Sequence, residues 1–324
     1  MEAIEPETKA ETKTIRKPFV TMEGKRFYVL GLGLHVTDVF ILAVLLFFNI
    51  LTAIFHFRVE GWQRMILKNT GIALLYLLFV YLHQIASSRV LKFILRTASI
   101  QLLLAHLFVA VHPLQLILFS EWKDPVVLNF EKLVFGLQPT VWFQKFMSPA
   151  LTEWMMFSYV IYVPIYPVLC GIIYFKRGPH QMEDYLFTLG VTNVLCDIGF
   201  ILFPVAGPLY AIKPLYTVPL KGYFFTFWGE YIRTHVHSIG GCIPSPHCAV
   251  ATIMWLMAYR YHKPSFYVLT PIILSLYVSA AYGRYHYVTD VVIGILTALL
   301  AVGLATRLVK GWNRVVLKWQ PENP

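Results

Sequence analysis

The chain has 324 residues, of which 57% are hydrophobic and only 14% charged, and its formal net charge is +10. A globular chain is about 45–50% apolar and about 25% charged, so composition excludes an ordinary soluble fold. The Lys and Arg residues lie between long apolar runs, as topology determinants do, which sets aside nucleic-acid binding as the meaning of the positive charge.

Residues 1–34 form a tail of mixed charge that includes Lys9, Lys13, Arg16, Lys17, Lys25 and Arg26. It has no apolar stretch ending in a small-residue cleavage site, so it is expected to be a cytosolic tail and not a signal peptide. Val36 to Phe55 then runs almost wholly in Ile, Leu, Val, Phe and Ala, with Asp38 as its one acid. About twenty such residues cross roughly 30 Å of hydrocarbon as a helix, and such runs are too long and uniform for barrel strands. Repeating that test along the chain gives an all-α polytopic transmembrane bundle of about eight helices, near 36–56, 69–86, 98–118, 152–174, 186–203, 248–262, 268–283 and 288–309. The first two, within 35–97, are accessory to a six-helix core at 98–309, and 310–324 is a second cytosolic tail.

Between the third and fourth helices, residues 121–149 mix Trp122, Phe130, Phe135, Trp142 and Phe146 with Lys123, Lys132 and Lys145. That composition suits helices lying in the headgroup layer, with an ordinary polar loop as the alternative. Arg89, Lys92 and Arg96, then Lys176 and Arg177, then Lys310, Arg314 and Lys318 fall on one side together with the basic tail. The positive-inside rule makes that side cytoplasmic, against the contrary Arg58, Arg64 and Lys68. The long loop 204–247 and the short turn near 284–287 share the opposite side whichever way the protein inserts, because two helices separate them.

Chemistry concentrates on that side. Gly240-Gly241-Cys242-Ile243-Pro244-Ser245-Pro246-His247 precedes a helix, with Ser245 suited to the N-cap and Pro246 to the first helical position. A helix start there favours phosphate, and His247 in its first turn can give a proton to a leaving oxygen. Taken alone, the same residues read equally as a plain helix cap. Further on, His286 and Asp290 are spaced i, i+4, so the carboxylate can hold one ring nitrogen and raise the basicity of the other. An acid followed at once by an apolar helix is costly and usually functional. Phe203 to Tyr210 ends the fifth helix with Pro and Gly, and Lys213 and Lys221 follow. The loop 209–239 is rich in Tyr, Phe and Trp and is expected either to cover the site or to sit at the interface. Cys170 and Cys196 fall in apolar runs, and Cys242 and Cys248 flank one motif, with a disulfide between them left open. Closely spaced metal ligands are few, so no metal and no cofactor is expected.

With these motifs the chain resembles the type 2 phosphatidic acid phosphatase superfamily, and within it the branch that includes inositol phosphorylceramide synthases. The family's Pro-Ser-Gly-His motif corresponds to Pro244-Ser245-Pro246-His247, and its His-x-x-x-Asp motif to His286 and Asp290. The resemblance implies His286 as the nucleophile that forms a phosphohistidine, His247 as the general acid, and Asp290 as the residue that orients His286. It implies a lipid phosphate or phospholipid as substrate and the bilayer as the setting, with water or a lipid alcohol as acceptor and no nucleic acid. Three positions depart from the phosphatases: Ser279-Ala280 replaces Ser-Arg, Pro208-Leu209 lacks an Arg, and Pro246 replaces the motif glycine. Arg284, Lys213, Lys221 and Arg233, together with Ser245, are the candidate phosphate holders in their place. Loss of the third-motif Arg, a segment like Phe135-Gly136-Leu137-Gln138-Pro139 and the Pro204 to Tyr210 run tilt the expectation from phosphatase toward phosphotransferase. The competing expectation is a non-catalytic membrane protein or transporter of the same fold, against which the polar cluster sits at helix ends instead of on broken helices near the midplane.

Overall fold

A computed structural model of the chain describes residues 25–29, 31–235 and 239–319. The tail residues Lys9, Lys13, Arg16 and Lys17 lie outside them. A two-stranded antiparallel hairpin, β1 (Phe27–Val29) and β2 (Leu32–Leu34), leads into α1 (Val36–Ile54). Two further long helices follow, α2 (Trp62–Ile85) and α3 (Arg89–Val111). Short interfacial pieces come next, α4 (Asp124–Phe135) and α5 (Pro139–Trp142). The fourth crossing is split into α6 (Pro149–Val160) and α7 (Tyr162–Arg177), bent by 46°. Then come α8 (Pro179–Leu202), the short α9 (Pro208–Ala211), α10 (Phe224–His235), α11 (Pro246–Tyr261), α12 (Lys263–Tyr282) and α13 (Val288–Trp319).

The architecture is the expected all-α polytopic bundle. Among the described residues six helices are long and apolar enough to cross a membrane, or seven with the bent pair taken as one span. The expected sixth span, near 248–262, is a helix, but at 16 residues it is short of that length. Three starts move most: α2, α3 and α8 begin about two turns before the apolar runs at 69, 98 and 186, because polar first turns continue the hydrogen-bond ladder. The expected tail from 310 is helical through Trp319, where it continues α13.

Burial separates the helices by role. In α8, 72% of the apolar window is buried inside the protein, against 17% for α2. So α8 is the central post and α2 presents Leu67, Leu74, Leu78 and Ile85 to lipid. The lone acid of α1, Asp38, is wholly buried beside Arg96 of α3, whose guanidinium also pairs with Glu183 of α8. Tyr76 of α2 donates to Asp38 at 2.6 Å, and Arg96 Nη2 donates to Glu183 at 2.7 Å. This cluster ties the two accessory helices to the core at the end where α8 begins. All four cysteines are free thiols, so no disulfide joins Cys242 to Cys248.

Candidate active site

At the other end of the bundle, the starts of α11 and α13 are brought together by backbone. Ser245 N–H donates to the Asp290 carbonyl at 3.1 Å. Gly294, one turn into α13, faces Ser245 so closely that a Cβ would stand 2.6 Å from the Ser245 carbonyl oxygen. Gly199 of α8 abuts Pro244, where a Cβ would stand 2.3 Å from the ring. Only residues without side chains allow α8, α11 and α13 to meet this tightly. Ser245 caps α11 as expected, its hydroxyl accepting from Cys248 N–H at 3.4 Å. That occupies the hydroxyl locally and makes it part of the frame.

The two histidines meet in this frame. The rings of His247 and His286 have centroids 5.6 Å apart. His286 is 3% exposed, and its Nδ1 faces Asp290 Oδ2 at 3.4 Å, with Asp290 fully buried. The same Oδ2 accepts from Tyr287 N–H at 2.8 Å. So Asp290, third residue of α13, reaches back to the helix's N-cap in the manner of a capping box, and its carboxylate is fixed from two directions. His247 stacks on Tyr159 of α6 at 4.5 Å, and its Nδ1 lies 3.3 Å from the Tyr159 hydroxyl. Tyr159 stacks in turn on Tyr285 at 4.2 Å, so one aromatic column sets both imidazoles.

The candidate phosphate holders divide. Arg284 stands two residues before His286 and is one of the described residues' few departures in backbone: it is non-glycine with φ 67°. Such a conformation costs on the order of 1 kcal/mol or more and persists where neighbours impose it. Its guanidinium donates to the Val218 carbonyl and lies 4.5 Å over the Tyr216 ring. Burial holds its pKa below the ordinary guanidinium value, and burial likewise pushes the Tyr216 hydroxyl up to about 12. Arg233 of α10 pairs with Glu230, one turn away, and both charges act on Arg284 and Tyr285. Lys213 and Lys221 are exposed on the covering loop. Arg284 and Arg233 thus act on one another and on the Tyr285 region, and the two lysines are on the exposed loop.

That loop packs on α6 and on Tyr285. Glu153 of α6 accepts from the backbone of Tyr223, Phe225 and Thr226, capping α10, and the Tyr285 hydroxyl donates to the Gly229 carbonyl at 3.2 Å. Residues 236–238 of the loop lie outside the described residues.

Three supports went unseen in the sequence. Asp124, at the start of α4, is 3% exposed and accepts from Ala206 N–H at 2.8 Å, Gly207 N–H at 2.9 Å and the Tyr287 hydroxyl at 2.9 Å. It thus joins the Pro204–Tyr210 run to the residue after His286. Glu131, two turns on, accepts from the N–H and hydroxyl of Thr289 at 2.9 and 3.1 Å. Burial raises its carboxyl above the ordinary value, against those bonds. Gln115 accepts from Gly241 N–H at 2.7 Å and holds the Gly-Gly turn, where both glycines have positive φ. The signal available was an acid opening an amphipathic helix at Asp124-Pro125.

Cys242, His286 and Asp290 place ligand atoms within 4.8 Å of one another, a grouping the sequence did not suggest. The Cys242 thiol donates weakly to the Gly240 and Tyr285 carbonyls at 3.7 and 3.8 Å. Burial first, then the negative charges of Asp290 and Asp124, push this thiol up, so it stays protonated as a packing group under His286.

The profile of the PAP2 superfamily matches residues 127–304, from α4 to within α13. Phosphoinositol dihydroceramide synthase of Bacteroides thetaiotaomicron is 26% identical over 195 residues, which cover 53% of this chain and 63% of that protein. The match thus spans less than two thirds of that relative's length. No solved structure matches. The matched region holds both histidine motifs, and the chain is a multi-pass membrane member of the PAP2 superfamily of lipid phosphatases and phosphotransferases.

Proposed function

We propose that the protein transfers a phospho-headgroup from one membrane lipid to the hydroxyl of a second through a phosphohistidine at His286. The observation that carries this is the pair of imidazoles 5.6 Å apart with Asp290 behind one of them. In the first step, His286 Nε2 attacks phosphorus, a P–N bond forms and the P–O bond to the departing lipid breaks. His247 gives its proton to the leaving oxygen. In the second step, His247 takes a proton from the acceptor hydroxyl, whose oxygen attacks phosphorus as the P–N bond breaks. Asp290 holds the His286 ring and balances the charge it gains. Arg284 and Arg233 supply positive charge beside the phosphate oxygens.

The likeness to a phosphoinositol dihydroceramide synthase supports a phosphoinositol headgroup as cargo and a ceramide-type lipid alcohol as acceptor. With water as acceptor the same steps make a phosphatase. The basic loops at the opposite end support a site on the extracytoplasmic face.

Purified protein supplied with phosphatidylinositol labelled in its headgroup, with and without dihydroceramide, tests this. Label is expected in the dihydroceramide product. His247→Ala and His286→Ala should each lower turnover by on the order of a thousandfold or more. Full turnover in both variants would overturn the proposal.

A further inference from the structure

The end of the bundle remote from His247 and His286 carries a polar cavity, whose lining includes His35, His83 and His180. It has a volume of about 430 Å³ and lies among the hairpin, the α2–α3 turn and the start of α8. Gln115 at the far end of α3 holds the histidine loop, whereas Arg89 and Lys92 in its first turn line this cavity. The length of α3 therefore separates the two sites, roughly 30 Å at 1.5 Å per residue.

The lining is cationic. Arg26, Arg89 and Lys92 stand against one lining carboxylate, Glu183, which the buried Arg96 already pairs. Counting Arg96 and its second partner Asp38 as well, four cations face two carboxylates. The polar heads are arranged and not collapsed onto one another. Arg26 Nε donates to His35 at 3.1 Å, and Arg89 Nη2 donates to the Tyr174 carbonyl at 3.2 Å. Gln84 is fixed to the Gly33 backbone by bonds of 2.7 and 3.3 Å. Among the described residues the Lys92 ammonium makes no hydrogen bond, although it lines the cavity.

Beside this cavity runs a groove of about 630 Å³ between α3 and α7. Ile94, Ala98, Val168 and Ile172 line it, and Gly171 forms its floor, where a Cβ would stand 3.2 Å from Phe93. The groove follows α3 from Phe93 to Gln101, on the order of 12 Å. Phe93 lines the groove, and its ring lies 5.5 Å from that of Tyr174, which lines the cavity. A cationic pocket at a helix end, one aromatic pair away from an apolar groove, is complementary to a phosphate-bearing head with an acyl chain.

We propose that this cavity is a second, non-catalytic site for a phosphate-bearing anion, and that the anion is the headgroup of a lipid whose chain occupies the α3–α7 groove. The chemistry shared with a soluble phosphate is the anionic phosphate group, and the groove selects the lipid. The inference does not depend on the histidine chemistry.

The test uses the full chain in vesicles of phosphatidylcholine, with or without phosphatidylserine, and in pure phosphatidylcholine with inorganic phosphate. The readouts are the thermal unfolding midpoint and the lipid retained on the purified protein. Phosphatidylserine should raise the midpoint of wild type and of His286→Ala alike, and inorganic phosphate should not. Arg26→Gln and Lys92→Gln should each weaken retention about fivefold, one cation's worth at a membrane surface, while Arg26→Lys restores it. Gly171→Leu, which fills the groove without touching charge, should also reduce retention. A photoactivatable phosphatidylserine on wild type gives the location without any substitution, and its label should fall on the ends of α3 and α7. Label confined to the histidine end, no shift with phosphatidylserine, or retention unchanged in Lys92→Gln would overturn the site. An equal shift from inorganic phosphate would overturn the lipid as its ligand.

Discussion

Two buried acid clusters lie at opposite ends of this bundle, and they differ in how fully they are satisfied. At one end Arg96 is locked to Asp38 and Glu183, with Tyr76 adding a further bond to Asp38. At the other, His286 stands 3.4 Å from Asp290, a looser contact than a hydrogen bond, and Asp290 Oδ1 accepts none among the described residues. A closed network in a low-dielectric interior fixes geometry, since every charge has its partner at short range. A network left open at a face shared with His247 keeps capacity for a group that arrives from outside. The first cluster therefore reads as architecture, joining the accessory helices to α8, and the second as chemistry.

That contrast can be broken most forcefully at Arg96. Arg96→Ala leaves Asp38 and Glu183 buried without their cation, and about 3–5 kcal/mol of stability should be lost in thermal unfolding of the purified protein. Turnover per folded molecule should stay near wild type; a selective loss of turnover at unchanged stability would erase the distinction. Asp290→Asn should behave in the opposite way. The backbone frame from Ser245 to Asp290 survives, so the unfolding midpoint moves little, while kcat falls on the order of a hundredfold or more as His286 loses its orienting charge.

Asp124 lies between these cases, since it touches the site only through backbone and Tyr287. Asp124→Ala strands the buried N–H groups of Ala206 and Gly207, at about 1–3 kcal/mol each, and should lower both the midpoint and kcat. The smallest effect is expected at Glu131, whose carboxyl burial raises from its ordinary 4.5. Folded protein then holds that proton more tightly than the unfolded chain, so the stability it contributes is full below the ordinary value and is lost as pH rises through the raised one. Glu131→Gln should flatten the fall of unfolding midpoint with pH across that window, and an unchanged slope would locate the dependence elsewhere.

Much of the bundle was legible because long apolar runs report directly on where a helix can span. The histidine motifs were legible for the same reason: parity of crossings puts 247 and 286 on one face, and the i, i+4 spacing pairs His286 with Asp290. What escaped was long-range pairing. Nothing local to Asp38 announces Arg96, and nothing in the interfacial segment announces that Asp124 and Glu131 turn inward to the start of α13. The phosphate holders were half legible. Proximity in sequence placed Arg284 by His286, but Lys213 and Lys221 stand on the exposed surface of the covering loop. Cys242 was read for its spacing to Cys248, whereas packing placed its thiol beneath His286.

The most direct measurement is mass-spectrometric detection of a phosphoinositol group on the protein after rapid acid-free quenching with a phosphoinositol lipid donor and no acceptor alcohol. The expected result is a heat- and acid-labile phosphoinositol adduct on His286 that builds up in wild type without acceptor, forms far more slowly in His247→Ala and is absent in His286→Ala. Headgroup transfer at the wild-type rate with no adduct on residue 286, or with the adduct on another residue, would contradict the phosphohistidine route.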